Sequence, residues 1–193
     1  MSKSNVYSIP FRRKREGKTN YRKRMKILLA NKPRLVIRKS IKNILAQVVE
    51  YHPQGDRIIL SAQSKELEEF GWKSNKGNIP SAYLTGLLIG KKAKKQNILD
   101  LVLDIGLNKS VGGSRIYALL KGAIDAGLKI PHSADILPKP ERINAGHIAE
   151  YARILKEDKA KYERQFGSYT KNQIDPSMIK NVLEETKKKI LEN

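Results

Sequence analysis

Two clusters, Arg12-Arg13-Lys14-Arg15 and Arg22-Lys23-Arg24, could do one kind of chemistry well, which is to neutralise a row of phosphates. They belong to a polycation: fifteen of the first 42 residues are Lys or Arg, and Glu16 is the single acid among them. The formal charge of the 193-residue chain is +20, most of it in this N-terminal fifth. Concentrated positive charge beside an otherwise balanced sequence points to a polyanion, because each neutralised phosphate releases condensed counterions. A purely solubilising tail would mix its charges, whereas this one repels itself without a partner. Tyr7, Phe11 and Tyr21 are interleaved with the cations and can stack on splayed bases, which favours folded RNA over duplex DNA.

The basic pattern continues into Pro33 to Lys39, where period-two alternation puts Arg34, Val36 and Arg38 on one face and Leu35, Ile37 and Lys39 on the other. Two arginines beside the arm extend its phosphate-binding surface, while the plainer reading is an edge strand charged against aggregation. Ser40 to Asn43 follows as a polar turn whose donors suit phosphate and 2′-hydroxyl groups.

Other chemistries fare worse. The chain has no Cys, so disulfides, thiolate metal sites and thiol catalysis are excluded. Val111-Gly112-Gly113-Ser114-Arg115 precedes a helical pattern but lacks the Lys-Ser or Lys-Thr of a P-loop, leaving Ser114 as an ordinary N-cap. Asp100 and Asp104 flank an apolar run, as in two-metal nucleases, yet no second carboxylate can be placed beside them. His132, Asp135 and His147 do not have zinc-site spacing. No cofactor, metal or small-molecule substrate is expected, and no membrane span either, since no apolar run approaches 18 residues. Gly86 and Gly90 read as close packing of a helix onto a sheet.

The elements that must position these residues can be read in outline. Residues 1–31 are too polar to fold alone and form an arm, with one short helix expected over about Asn20 to Asn31. Pro33 to Lys39, Ile44 to Tyr51 and Arg57 to Ala62 read as three strands of an antiparallel meander separated by turn clusters. Helices are expected from Ser81 through Lys95 and from Ser114 to Gly127, and Leu101 to Gly106 between them reads as a strand covered on both faces. The fold class is therefore α/β: a mixed sheet with a parallel crossover strand, helices on both faces, an extended basic N-terminal arm and a helical C-terminal extension. Three divisions follow: 1–31 as the arm, 32–130 as the body, and 131–193 as a loop plus two helices, Ala145 to Phe166 and one opened by Asp175-Pro176.

Several segments carry a resemblance. They are Gly17-Lys18-Thr19-Asn20-Tyr21-Arg22-Lys23-Arg24, Lys32 to Ser40, Ala46-Gln47-Val48-Val49, Ala82-Tyr83-Leu84-Thr85-Gly86, Gly113-Ser114-Arg115-Ile116, Leu120 to Leu128 and Ile130-Pro131-His132-Ser133. In this order they resemble ribosomal protein family eighteen of the large subunit, over about Val6 to Asn193, and the long C-terminal helices resemble its archaeal and eukaryotic branch. The resemblance implies a non-enzymatic, cytoplasmic component of the large ribosomal subunit. It would bind 5S rRNA in the central protuberance, help attach it to the large-subunit rRNA and touch neighbouring ribosomal proteins. The RNA contacts it implies fall on Arg12, Arg13, Lys14, Arg15, Lys18, Thr19, Tyr21, Arg22, Arg24, Arg34, Arg38, Lys39, Ser40 and Lys42, nearly the set that charge alone selects. This copy has Ile41 and Lys42 after Ser40, where many relatives carry an asparagine. The competing readings are an RNA-processing nuclease of α/β fold and a nonspecific nucleic-acid-compacting protein.

Overall fold

A computed structural model describes residues 8–192. Lys3 and Tyr7, counted above with the arm, lie outside the described residues.

The meander forms as its β-branched runs require. β1 (Arg34–Lys39) pairs antiparallel with β2 (Ile44–Glu50), Arg34 opposite Val49 and Lys39 opposite Ile44, and β2 pairs antiparallel with β3 (Arg57–Gln63). A bulge at Val48/Val49 interrupts the second ladder. β4 (Val102–Asp104) lies parallel to β1 with Val36 opposite Asp104, giving the sheet order β3-β2-β1-β4. The strand expected to be covered on both faces is instead a three-residue edge strand, each residue half-buried. Its apolar run is continuous because Leu101 and Leu103 turn to the core, while Val102 shares the face of Arg34.

One face of the sheet is the core. Leu35, Ile37, Ala46, Val48 and Ala62 are fully buried there under α3 (Ile79–Lys95). Asn78 caps α3 by accepting from the Ser81 amide at 2.9 Å, Pro80 sits in the first turn, and every residue from Pro80 to Gly90 is buried. α4 (Arg115–Asp125) lies against α3 so closely that a Cβ on Gly86 would stand 2.0 Å from the Leu119 carbonyl oxygen, and one on Gly122 2.1 Å from that of Tyr83. The glycine pair of α3 thus serves close packing as expected, but against a helix and not the sheet. Gly127, at φ +106°, ends α4 with Leu128 N–H donating back to the Ala123 carbonyl.

The C-terminal region joins the same core. After Ile130 come a short turn at Ala134–Ile136 and α5 (Pro140–Ile143), then α6 (Gly146–Leu155), α7 (Lys159–Lys171) and α8 (Ile179–Glu192). The single helix expected over Ala145 to Phe166 is two, because Asp158 takes an N-cap conformation and accepts from the Lys161 amide. Phe166, Tyr169, Ile179, Leu183 and Ile190 are buried with α3 in one continuous cluster. Among the described residues no helix is long and apolar enough to cross a membrane.

The other face of the sheet carries Arg34, Val36, Arg38, Gln47, Val49 and Ile58. Among the described residues the arm, with α1 (Arg12–Arg15) and α2 (Tyr21–Leu28), reaches over it, beside the loop at residues 105–108 that follows β4.

Candidate nucleic-acid interface

The arm's turns are set locally. Gly17 at φ +63° ends α1, with Lys18 N–H donating to the Arg13 carbonyl, a conformation that costs glycine least. Asn20 caps α2 by accepting from Lys23 N–H at 3.1 Å, and Arg13 Nε donates to Thr19 Oγ1 at 2.9 Å across the bend. Phe11 and Tyr21 pair with ring centroids 5.2 Å apart, Phe11 remaining largely exposed. Glu16 meets Arg12 at 3.7 Å and Lys18 at 2.9 Å, both pairs open to solvent and therefore of little net strength. A phosphate can displace such a carboxylate.

A chain of alternating charges fastens α2 to the sheet. Arg24 grips Asp56 with two hydrogen bonds of 2.8 and 2.7 Å, and Asp56 meets Arg34 at 2.7 Å. Arg34 in turn donates to Asp104 at 3.0 Å, whose other oxygen accepts from Gly106 N–H. Lys23 closes the circuit by donating to the Gly106 carbonyl at 3.2 Å. The register explains the geometry: Asp104 is opposite Val36 in a parallel ladder, so it projects from the same face as Arg34. The hydrogen bonds from Arg24, and then Arg34, hold the Asp56 carboxyl below the usual carboxylate range against the opposing effect of burial, and the same Asp56 bond raises Arg24. The Arg34 side chain is only 3% exposed, so this guanidinium is committed to the protein interior. The second carboxylate that a nuclease would need beside Asp104 is Asp56, and the Arg34 cation pairs with both.

Between the arm and this face lies a cleft of about 740 Å³. Of the residues singled out in the sequence, it brings together Arg13, Lys18, Thr19, Tyr21, Arg24, Arg34, Arg38 and Lys39. Arg12, Lys14, Arg15 and Arg22 are exposed elsewhere on the arm. Ser40 and Lys42 sit at the β1–β2 turn, beyond the cleft. The Ser40 hydroxyl is spent within that turn, donating to the Asn43 carbonyl and accepting from its amide, both at 2.9 Å. Ile41 at the tip is 92% exposed. Among the described residues Lys14, Arg15, Arg22, Arg38, Lys39 and Lys42 are exposed and make no ion pair.

A cation-lined cleft with a braced turn beside it has the charge and shape to take a structured polyanion. The model of a family described as ribosomal large subunit proteins 60S L5 and 50S L18 matches residues 5–101 and 91–133, about two thirds of the chain. The chain belongs to this family. It is therefore an RNA-binding ribosomal protein of the large subunit, with its place in the cytoplasmic ribosome and its work in translation. The family match takes in the arm, the sheet, α3 and α4, and stops before α6.

Sequence reasoning passed over Gln47 and Asp56 as parts of this surface, and over Arg115, and it gave Lys23 no role beyond its charge. Arg115 donates to the carbonyls of Gly77 at 2.7 Å and Ser40 at 3.2 Å, tying the start of α4 to the β1–β2 turn. A Cβ on Gly77 would stand 2.6 Å from the Ile41 carbonyl oxygen, so only glycine allows that approach. The signal was present in Gly113-Ser114-Arg115-Ile116, whose position as a helix start gave no hint of what Arg115 reaches. Ser114 does hold the N-cap position of α4, but its side chain makes no capping bond.

Proposed function

We propose that this large-subunit protein binds 5S rRNA in the central protuberance and helps fasten it to the large-subunit rRNA, as a permanent structural part and without catalysis. The observation that carries the reading is the cleft in which the arm and the open face of β1 present their cations to one space. Arg13, Lys18, Arg38 and Lys39 contact phosphates from within it, and Arg12, Lys14, Arg15, Arg22 and Lys42 extend the contact along the arm and over the turn. Arg24 and Arg34 act from behind, holding α2 at the distance that forms the cleft. Tyr21 and Thr19 recognise shape, by base stacking and hydroxyl bonding. Residues 1–31 and 32–130 supply the RNA contacts on this reading, while 131–193 meets rRNA or neighbouring ribosomal proteins. A nuclease is disfavoured because Arg34 neutralises the two carboxylates that would have to hold its metals.

The test is the salt dependence of 5S rRNA binding. Neutralising roughly six to eight phosphates gives a log–log slope of about −4 to −7. A shallow slope would contradict the mechanism.

A further inference from the structure

On the helical side of the sheet, a second pocket of about 510 Å³ opens between the β1–β2 turn, the loop after β3 and the end of α7. Its charge is one-sided: Lys42, Lys65, Lys73 and Lys76 line it against the single acid Glu68, which Lys76 pairs. Its floor holds the Ser74 side chain, 4% exposed, whose hydroxyl has no hydrogen-bond partner. A hydroxyl left buried and unpaired has lost its water without regaining a partner, so an oxygen acceptor arriving there gains more than it would from an exposed serine.

The pocket is also held in shape before anything binds. Trp72, fully buried, bonds its amide to the Leu67 carbonyl at 2.9 Å and its indole N–H to the Asn75 carbonyl at 3.3 Å, which fixes the loop on either side of Ser74. Asn75 Oδ1 accepts from Gly77 N–H at 2.8 Å, and from α7 Asn172 donates to the Lys73 carbonyl at 3.0 Å. One side of the wall, Ser168, Tyr169 and Asn172, therefore comes from beyond the stretch matched by the family model. Lysine ammonium groups around one buried hydroxyl donor make a receptor for a tetrahedral oxyanion, with several point charges to neutralise it and one directed hydrogen bond to place it.

We propose that this pocket is a second phosphate-binding site, and that it takes a backbone phosphate of rRNA on the face of the sheet opposite the arm cleft. The inference rests on the RNA-binding reading above and deepens it. Lys42 lines the pocket from the β1–β2 turn, just beyond the end of the cleft, so RNA engaged in the cleft can continue over the exposed tip into the pocket, or a separate strand can enter from the other side. Both supply the same chemistry.

The test compares the full-length chain with two full-length variants, Lys65→Gln/Lys73→Gln and Ser74→Ala, for binding to 5S rRNA and, separately, to large-subunit rRNA over a salt series. The double variant should lose about tenfold in affinity and flatten the log–log slope by about 1 for one of the two RNAs. Ser74→Ala should weaken the same RNA several-fold with the slope unchanged, since it removes a hydrogen bond and no charge. The RNA affected identifies the source of the phosphate. Unchanged affinity and slope with both RNAs, in variants that keep the wild-type melting temperature, would overturn the proposal. So would a loss in the lysine variant alone, which would mean a diffuse charge effect with no built site. Each comparison is variant against wild type on one RNA, so a chain without preference for 5S rRNA would sink the reading above and leave this slope difference standing.

Discussion

Arg34 and Asp56 meet at 2.7 Å on the open face of the sheet, joining the start of β1 to the start of β3 beneath the arm. Because Asp56 also carries Arg24, this one contact couples the interior of the body to the placement of α2. The cleft exists at its observed width because a buried cation and a half-exposed one share a carboxylate.

The two arginines of β1 should accordingly respond in opposite ways. Arg34→Ala leaves Asp104 and Asp56 short of their partner and should cost about 3 kcal/mol or more, as removal of one member of a buried ion pair does. Arg38→Ala, an exposed change, should keep stability within about 0.5 kcal/mol and flatten the salt slope of RNA binding by about 1. Urea unfolding and filter binding on both variants give the comparison. Equal loss of stability in the two would refute the division of labour.

The tether has a defined pH dependence. The folded Asp56 carboxyl titrates below its ordinary value of 3.8, so its contribution is fully present above that value and is lost only as pH falls through the lower folded value. Asp56→Asn should remove this part of the acid response. Following the Arg24 side-chain NMR signals during an acid titration checks it: release of the arm while pH is still above 3.8 would contradict the assignment.

Gly86→Ala should be among the most damaging single-methyl changes in the chain, because the new Cβ meets the Leu119 backbone of α4 and no flexible side chain. The overpacking should cost about 3 kcal/mol, whereas Gly167→Ala, inside α7 where a Cβ meets nothing within 4 Å, should stabilise by up to about 1 kcal/mol. Thermal melting of the two variants measures the difference.

The strands and the α3–α4 pair were legible because local pattern and tertiary role agree there: β-branched runs between turn clusters, then apolar residues at helical spacing. The arm was legible from charge. The burial of Arg34 was not, since alternation gives Arg34 and Arg38 one face and nothing nearby announces the acids that cover only the first of them. Those acids, Asp56 and Asp104, come from a turn and an edge strand far along the chain. The break between α6 and α7 carried a local sign in Asp158, but Leu155, Tyr162 and Phe166 continue the apolar stripe on either side and masked it. Ser74 had no sequence signal at all, because its burial depends on Trp72 and on α7 arriving from the other end of the chain.

The most direct measurement is competitive binding of the full-length chain to 5S rRNA against equal masses of tRNA and duplex DNA at about 150 mM salt, near physiological screening. It should be repeated with Arg12, Arg13, Lys14, Arg15, Lys18 and Arg22 changed to glutamine, which leaves the Arg24–Asp56 tether in place. The account predicts a strong preference for 5S rRNA that collapses in the neutralised variant. Equal binding to all three nucleic acids would contradict it and reduce the arm to nonspecific polycation chemistry.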